Sequence, residues 1–203
     1  MNYINYEASL QNYNKEYIQN IIDTTKDPNI RDQKGNSLLK LACEYVGPEY
    51  VRLLIEKGAD INALDIFGST CLIYECYSHI KNIECAKVLL EYGADVNIVN
   101  NNQLTAFYIA SESKKIDLMR LLLEYSADVN FVHYGSTALT SQMSRSPINR
   151  ECIELLIDYG ANISFVDIFG RTSLNIFDSI YKEVDNKEIR QLLTNSIQQY
   201  VLK

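Results

Sequence analysis

Few side chains here could act as a thiol nucleophile, an imidazole base or a soft-metal ligand: five cysteines and two histidines. Cys76 and His79 lie three positions apart, a spacing that could bring a thiol beside a base. The simpler interpretation is a buried cysteine next to a histidine in a solvated loop. Cys71 and Cys76 are five positions apart, unlike the Cys-x-x-Cys spacing of zinc sites. The sequence therefore predicts no catalytic residue and no metal site.

The glycines and carboxylates give no pattern of nucleotide binding or acid–base catalysis. The sequence contains no G-x-x-x-x-G-K-[ST] phosphate loop. Its glycines instead recur at the turns of a repeated pattern. Many of its carboxylates lie in the same turns, where Asp and Asn side chains accept hydrogen bonds from backbone N–H groups. We therefore predict a protein that is not an enzyme and needs no cofactor.

The composition limits the classes of partner. The formal net charge is −7 and the sequence pI is about 4.9, so the surface repels the phosphates of nucleic acids and of anionic membranes. The first residues lack a secretory signal, and no apolar run is long enough to cross a bilayer. An odd number of cysteines without paired spacing favours a reducing compartment. These features predict a monomer in the cytoplasm, either of its own cell or of a host cell into which it is delivered.

A repeated pattern must position whatever surface the chain uses. Residues 89–97 read LLEYGADVN, and similar stretches occupy residues 54–62, 122–130 and 156–164. A fainter copy ends at Asn29. The last position steps from there by 33, 35, 33 and 34 residues, which is the period of a stacked repeat. Each copy reads as the end of an apolar helix, a residue that turns the chain through positive φ, and a polar turn.

The segments that open the repeats give the resemblance its specificity. They begin at Asp32, Asp65, Asn100, His133 and Asp167, and the second reads DIFGSTCL. This resembles the ankyrin repeat, whose pattern is D-x-x-G-x-T-P-L-H-x-A followed by a second helix and G-A-D-x-N. The resemblance implies an all-α solenoid of stacked helix–turn–helix units with short β-hairpin fingers. It predicts about five repeats, preceded by an N-terminal half-repeat and closed by a C-terminal capping helix.

The repeat boundaries follow from the same alignment, within one domain of residues 1–203. An N-terminal capping unit covers residues 1–30, with helices near residues 6–12 and 14–23. The repeats and the C-terminal capping repeat are residues 31–64, 65–99, 100–132, 133–166 and 167–203.

The chain departs from the family pattern at positions that usually tie neighbouring repeats together. The histidine position holds Lys40, Ile73, Tyr108, Thr140 and Asn175. Glu75 and Gln142 replace a small alanine. We expect altered contacts between repeats and a less rigid stack.

The resemblance implies protein–protein binding on the concave face, which finger tips and first helices form. Two tips carry Ile-Phe and a third carries Tyr, and exposed aromatic groups often anchor interfaces. An alternative is that Phe67 and Phe169 fold back and staple neighbouring fingers. The candidate partner-binding residues are Lys34, Tyr45, Ile66, Phe67, Tyr77, Asn102, Leu104, Tyr134, Ile168, Phe169 and Arg171.

Two further hypotheses follow from the resemblance. The chain could be an adaptor or effector that recruits a host target to another complex such as a ubiquitin ligase, as many viral and bacterial ankyrin proteins do. It could also be a substrate of an asparaginyl hydroxylase, because Asn62, Asn97 and Asn130 each follow a leucine by eight residues. The competing interpretation is that these asparagines only bond their own turns.

Overall fold

The structure is a computed structural model of the 203-residue chain and describes residues 14–77, 83–145, 147–181 and 187–201. The predicted helix near residues 6–12, His79 and the loop at residues 182–186 lie outside these ranges. The described residues form eleven α-helices: α1 Lys15–Thr24, α2 Leu38–Tyr45, α3 Pro48–Glu56, α4 Cys71–Tyr77, α5 Glu84–Glu91, α6 Ala106–Glu112, α7 Ile116–Glu124, α8 Ala138–Met143, α9 Arg150–Asp158, α10 Ser173–Ile180 and α11 Lys187–Val201.

The order of the helices confirms the predicted all-α repeat fold. A single helix, α1, precedes five helix pairs, as the expected half-repeat and five repeats require. The chain divides into two compact units, residues 1–106 and 107–203. In the first unit α2 packs on α4, and α3 packs on α5. In the second unit α8 packs on α10, and α9 contacts both α7 and α11. Within each unit, first helices therefore stack on first helices, and second helices on second helices.

Hydroxyl side chains begin the first helix of most pairs. Ser37, Thr137 and Thr172 accept hydrogen bonds from backbone N–H groups three residues later, and Thr70 does the same for Ile73. These caps satisfy donors that an open helix start would leave unpaired.

Both helices of each pair contribute to the core. In the second helices, residues with no measurable exposure include Val51, Leu54, Ala86, Leu89, Met119, Leu122, Ile153 and Leu156. A lone pair could not cover these side chains, so burial depends on neighbouring repeats.

The turns that follow α3, α5, α7 and α9 have the same backbone geometry. Gly58, Gly93 and Gly160 lie at φ of 89°, 87° and 83°, and Ser126 takes the equivalent position at 66°. At the first corner, Gly58 N–H donates to Ile55 O, and the next N–H donates to Leu54 O at 2.9 Å. The same pair of bonds recurs at the other three corners. This is the Schellman ending, which favours glycine at the left-handed position.

The predicted fingers are short turns. Within the described residues the backbone makes two isolated antiparallel bridges, Arg31 with Ser37 and His133 with Ser136, and no sheet. Side chains inside most fingers accept hydrogen bonds from the backbone of the turn, as described below.

Candidate interaction surface

An Asp or Asn side chain closes each five-residue finger. The Oδ1 atoms of Asp32, Asp65, Asn100 and Asp167 each accept two backbone N–H groups, from the residues two and four positions later, at 2.8–3.0 Å. The closing side chain is buried in each case or half-buried at Asp65. This inward bonding fixes the backbone and leaves the side chains of the tip pointing away from it.

The fourth finger is shorter and uses a different turn. His133 and Ser136 exchange backbone hydrogen bonds of 2.9 and 3.0 Å around the central pair Tyr134 and Gly135. Both central residues have positive φ, 44° and 76°, as in a type I′ hairpin turn. Tyr134 is 73% exposed, and its ring centroid lies 4.4 Å from that of His133. The shortening therefore presents a tyrosine at the tip.

Isoleucine side chains cover glycines of the neighbouring fingers. A β-carbon on Gly35 would lie 2.9 Å from Ile66 Cγ2, and one on Gly135 would overlap Ile168 Cγ2. Each isoleucine thus rests on a glycine of the preceding finger. Ile66 and Ile168 are nevertheless 64% and 68% exposed. At these two glycines the contact is made by the residue that precedes each phenylalanine.

The two phenylalanine rings lie at the surface. Phe67 is 56% exposed and Phe169 is 72% exposed. The Arg171 guanidinium lies 4.9 Å from the centre of the Phe169 ring and donates two hydrogen bonds to Asp167 Oδ2. Burial alone would raise the pKa of Asp167, but these bonds from Arg171 hold it below its usual value. Arg171 therefore fixes one side of the Phe169 ring while the rest faces solvent.

The other candidate residues divide into exposed and half-buried groups. Lys34, Asn102 and Tyr77 are exposed, whereas Tyr45 and Leu104 are half-buried. Burial raises the pKa of Tyr45 to about 12, and a hydrogen bond to the Glu44 carboxylate contributes to that rise. The hydroxyl of Tyr45 is thus committed to a neighbour within the protein.

A buried lysine replaces the usual histidine of the first full repeat. Lys40 Nζ donates to Asn36 Oδ1 at 2.6 Å and lies 3.2 Å from the centre of the Tyr74 ring. The Tyr74 hydroxyl donates to Asp65 Oδ2 at 2.6 Å. Burial lowers the pKa of Lys40, although Asp65 and Glu44 oppose that shift. This chain of contacts joins two neighbouring repeats, so the histidine tie is replaced rather than lost.

In the second unit, a neutral amide side chain connects two neighbouring repeats. Gln142 is fully buried, and its Nε2 donates to Ser111 O at 2.9 Å and lies 3.3 Å from Ser111 Oγ. The Oε1 atom of Gln142 is buried and has no hydrogen-bond partner. Nearby, Ser141 Oγ donates to Glu112, which also pairs with Arg145. Gln142 therefore connects two repeats where the family pattern places a small alanine.

The turn asparagines bond to the next repeat and not only to their own turn. Asn62 Oδ1 accepts from Asp95 N–H at 3.0 Å, and Asn130 Oδ1 accepts from Asn162 N–H at 2.7 Å. Asn130 Nδ2 also donates to Gly160 O at 3.2 Å. Bonds of this kind at Asn62 and Asn130 tie successive turns together, so the interpretation that the asparagines only bond their own turns does not hold for these two.

Three potential metal ligands from three helices meet in the first unit. The Sγ atoms of Cys43 and Cys85 and a carboxylate oxygen of Glu75 all lie within 4.8 Å of one another. Sequence reasoning missed this group because its members are spread over residues 43–85 and share no short spacing. The stacking of α2, α4 and α5 brings them together. Cys76, by contrast, is buried and donates its thiol proton to Leu72 O.

None of the helices described here combines the length and the apolar character needed to cross a membrane.

Comparison with protein families identifies the repeated units. The family model for ankyrin repeats, written as three copies, matches residues 6–100 and 82–167. A fowlpox virus protein named as an ankyrin repeat protein is 37% identical over 156 residues, which are 76% of this chain and 30% of the viral protein.

Two other relatives match shorter parts of the chain. Ankyrin repeat protein 14 of vaccinia virus is 38% identical over 65 residues, which cover 32% of this chain and 27% of the relative. An ankyrin repeat-containing protein of Schizosaccharomyces pombe is 33% identical over 86 residues, covering 42% of this chain and 39% of the relative. The chain thus spans between 27% and 39% of the length of these three relatives.

Proposed function

Because the chain belongs to the ankyrin repeat family, whose members are protein–protein interaction modules, we propose that it binds a partner protein through its exposed finger tips. In this family the tips lie on the concave face of the stack. The proposal rests on the different positions of two adjacent side chains in the second and fifth fingers. Ile66 and Ile168 cover a glycine of the preceding finger, while Phe67 and Phe169 remain more than half exposed.

The chemistry of the tips indicates the kind of partner surface. Phe67, Tyr134 and Phe169 offer aromatic faces, and burying such rings against a partner supplies much of the energy at interface centres. The charge of −7 favours a neutral or basic protein surface over an acidic one. The hydrogen bonds inside each finger keep the tips in place, so little backbone freedom is lost on binding.

The experiment compares matched surface aromatics. A Phe67→Ala, Tyr134→Ala, Phe169→Ala variant should lose its captured partner in a quantitative pull-down from the native cell, by roughly tenfold or more because each anchor contributes about 1–2 kcal/mol. A Tyr159→Ala variant is the control, because Tyr159 is 38% exposed but lies at the end of α9 and not at a finger.

Thermal unfolding separates binding from stability. The triple variant should unfold within a few degrees of the wild type, since the three rings are mostly exposed. Full retention of the partner, or equal loss in the Tyr159→Ala control, would reject the finger tips as the binding site. We further infer that the chain binds as an intracellular monomer and catalyses no reaction, as is general in this family.

A second candidate function is that of an adaptor for another complex such as a ubiquitin ligase. The observation that favours it is the match with poxvirus proteins, one of which is more than three times as long as the matched region. In such a protein the repeats would hold the target while other segments reach the second complex. Co-purification of ligase subunits with the chain from host cells supports this function, and capture of a partner without them favours the simple binder.

Asparagine hydroxylation is a separate proposal for the turns. The candidate sites are Asn62, Asn97 and Asn130. Asn62 and Asn130 accept hydrogen bonds from the next repeat, and these bonds must open before either amide can be modified. Peptide mass analysis after incubation with an asparaginyl hydroxylase should find one added oxygen at one or more of the three. No added oxygen at any of them would reject the proposal.

A further inference from the structure

The three-ligand group of the first unit has the composition of a soft-metal site. Cys43 is the sixth residue of α2, Glu75 is on α4 and Cys85 is on α5, so two successive repeats contribute ligands. Cys85 is 8% exposed, and the other two side chains are half-buried. All the cysteines in the described residues are free thiols.

The spacing of the ligand atoms is close to what a tetrahedral ion needs. At Zn–S distances of about 2.3 Å, two thiolates on one ion lie roughly 3.8 Å apart. The three ligand atoms are already within 4.8 Å of one another, so rotamer-scale movements of about 1 Å bring them onto one ion. Two thiols exclude calcium and magnesium as good fits, because those ions take oxygen ligands almost exclusively.

The surroundings support a site built around sulfur. Cys85 Sγ lies 3.9 Å from Cys43 O, so α5 meets the end of α2 at this point. The Cys43 and Cys85 sulfurs lie within 4.8 Å of each other. A metal ion that binds both would take the place of their two protons and hold the sulfurs by coordinate bonds.

We propose that Cys43, Glu75 and Cys85 bind one zinc-class divalent ion, with water in the fourth position, and that the ion holds α2 to α4 and α5. The site stabilises the contact between the first two full repeats, where the family's histidine tie is absent. It does not depend on the finger tips, so partner binding and metal binding can fail separately.

Metal titration of the full chain tests the site. The reduced, metal-free protein is titrated with Zn²⁺ in competition with a chromophoric chelator, and we expect one ion per chain. Cys43→Ser and Cys85→Ser should each weaken binding by roughly 100-fold or more, because each removes one of three protein ligands. Cys152→Ser is the matched control, since Cys152 is fully buried against Met119 in the other unit.

A second probe reports the ligands directly. Cd²⁺ should give a near-ultraviolet thiolate-to-metal absorption band in the wild type and in Cys152→Ser, with a smaller band in Cys85→Ser. Zn²⁺ should raise the thermal midpoint of the wild type but not of Cys85→Ser. Circular dichroism checks that each variant keeps its helices.

Glu75→Gln keeps the test decisive if a cysteine variant does not fold. It should weaken Zn²⁺ binding while keeping the Cd²⁺ thiolate band, because both sulfurs remain. Fewer than one Zn²⁺ per chain in the wild type, or equal Zn²⁺ affinity of Cys85→Ser and Cys152→Ser, would overturn the proposal. Unchanged Zn²⁺ affinity in Glu75→Gln would also overturn it.

Discussion

The two compact units connect their repeats with different chemistry. In the first unit, the cation Lys40 lies against the Tyr74 ring, and Tyr74 bonds to the carboxylate of Asp65. In the second unit, the neutral amide of Gln142 donates to Ser111. Both sets replace residues of the ankyrin pattern that this chain lacks. The fold therefore tolerates the loss of a family residue where another polar group can bridge the same repeats.

The difference matters because only the contact in the first unit contains groups that can gain or lose a proton. Lys40, Tyr74 and Asp65 all ionise, whereas Gln142 and Ser111 do not. The first tie should respond to pH and the second should not. The apolar core and the finger contacts are shared by both units, so variants of these features set the baseline for that comparison.

The largest effect should come from the shared core. Leu89→Ala in the first unit and Leu156→Ala in the second should each lower the free energy of unfolding by about 2–5 kcal/mol, because both side chains are fully buried. Urea unfolding measures the loss. Leu64→Ala is the control, since Leu64 is 47% exposed and should change stability by less than about 0.5 kcal/mol. A cost below about 1 kcal/mol at either core leucine would contradict an equal core in the two units.

The second-largest loss of stability should come from substituting a glycine that an isoleucine covers. Gly135→Ala should cost about 2–3 kcal/mol, because its φ is 76° and its new methyl group would overlap Ile168. Gly58→Ala should cost only about 1 kcal/mol, since its φ is 89° but no atom lies within 4 Å of the added carbon. Adding Ile168→Ala to Gly135→Ala should recover part of the loss. If the two glycine variants cost the same, the finger contact is not stabilising.

The neutral tie predicts a moderate and pH-independent effect. Gln142→Ala should cost about 1–3 kcal/mol, because it leaves space in a fully buried site and removes the hydrogen bond to Ser111. Gln142→Met keeps most of the volume and removes the unpaired Oε1, so it should cost less. Unfolding at pH 6 and pH 9 should give the same difference from wild type; a change between them would show that this tie involves an ionising group.

The ionising tie predicts an effect at alkaline pH. Burial and the Asp65 carboxylate raise the pKa of Tyr74 above its ordinary 10.0, so the folded protein keeps the tyrosine proton longer than the unfolded chain. This stabilisation is complete below about pH 10 and is lost as pH rises further. Tyr74→Phe should cost about 1 kcal/mol at neutral pH and should unfold with a weaker pH dependence above pH 10. Parallel curves for the variant and the wild type between pH 9 and 11 would contradict the coupling.

The smallest effect should be a gain. Ser126 occupies a left-handed corner at φ 66°, where the other three corners have glycine. Ser126→Gly should stabilise the protein by about 0.5–1 kcal/mol, because it relieves that backbone strain. Gly93→Ser is the reciprocal control and should destabilise by a similar amount. Differential scanning calorimetry can resolve both shifts.

Much of the fold could be predicted from the repeat period together with the resemblance to the ankyrin repeat. The 33–35-residue spacing placed the ends of the second helices and the corners that follow them. These features depend on local patterns repeated along the chain. The sequence does not reveal that Asp32 and its equivalents accept the backbone hydrogen bonds inside the finger.

The contacts between repeats could not be predicted in the same way. The Lys40–Tyr74 contact joins residues 34 positions apart, and the Cys43–Glu75–Cys85 group spans residues 43–85. In both cases the contact depends on side-chain direction in the stacked helices. Most of the finger residues named from the sequence are exposed, although Leu104 and Arg171 are half-buried, and their role in binding stays a prediction. Which of two adjacent residues, Ile66 or Phe67, covers the neighbouring glycine is set by packing that no local motif records.

The asparagine bonds between turns have a consequence for synthesis on the ribosome. Asn62 accepts its hydrogen bond from Asp95, and Asn130 from Asn162, so each amide must wait for about 32 further residues to emerge. A nascent chain halted between these points holds an asparagine whose acceptor faces water. At these two turns the later repeat completes the earlier one, so the order of translation limits when each turn can be locked.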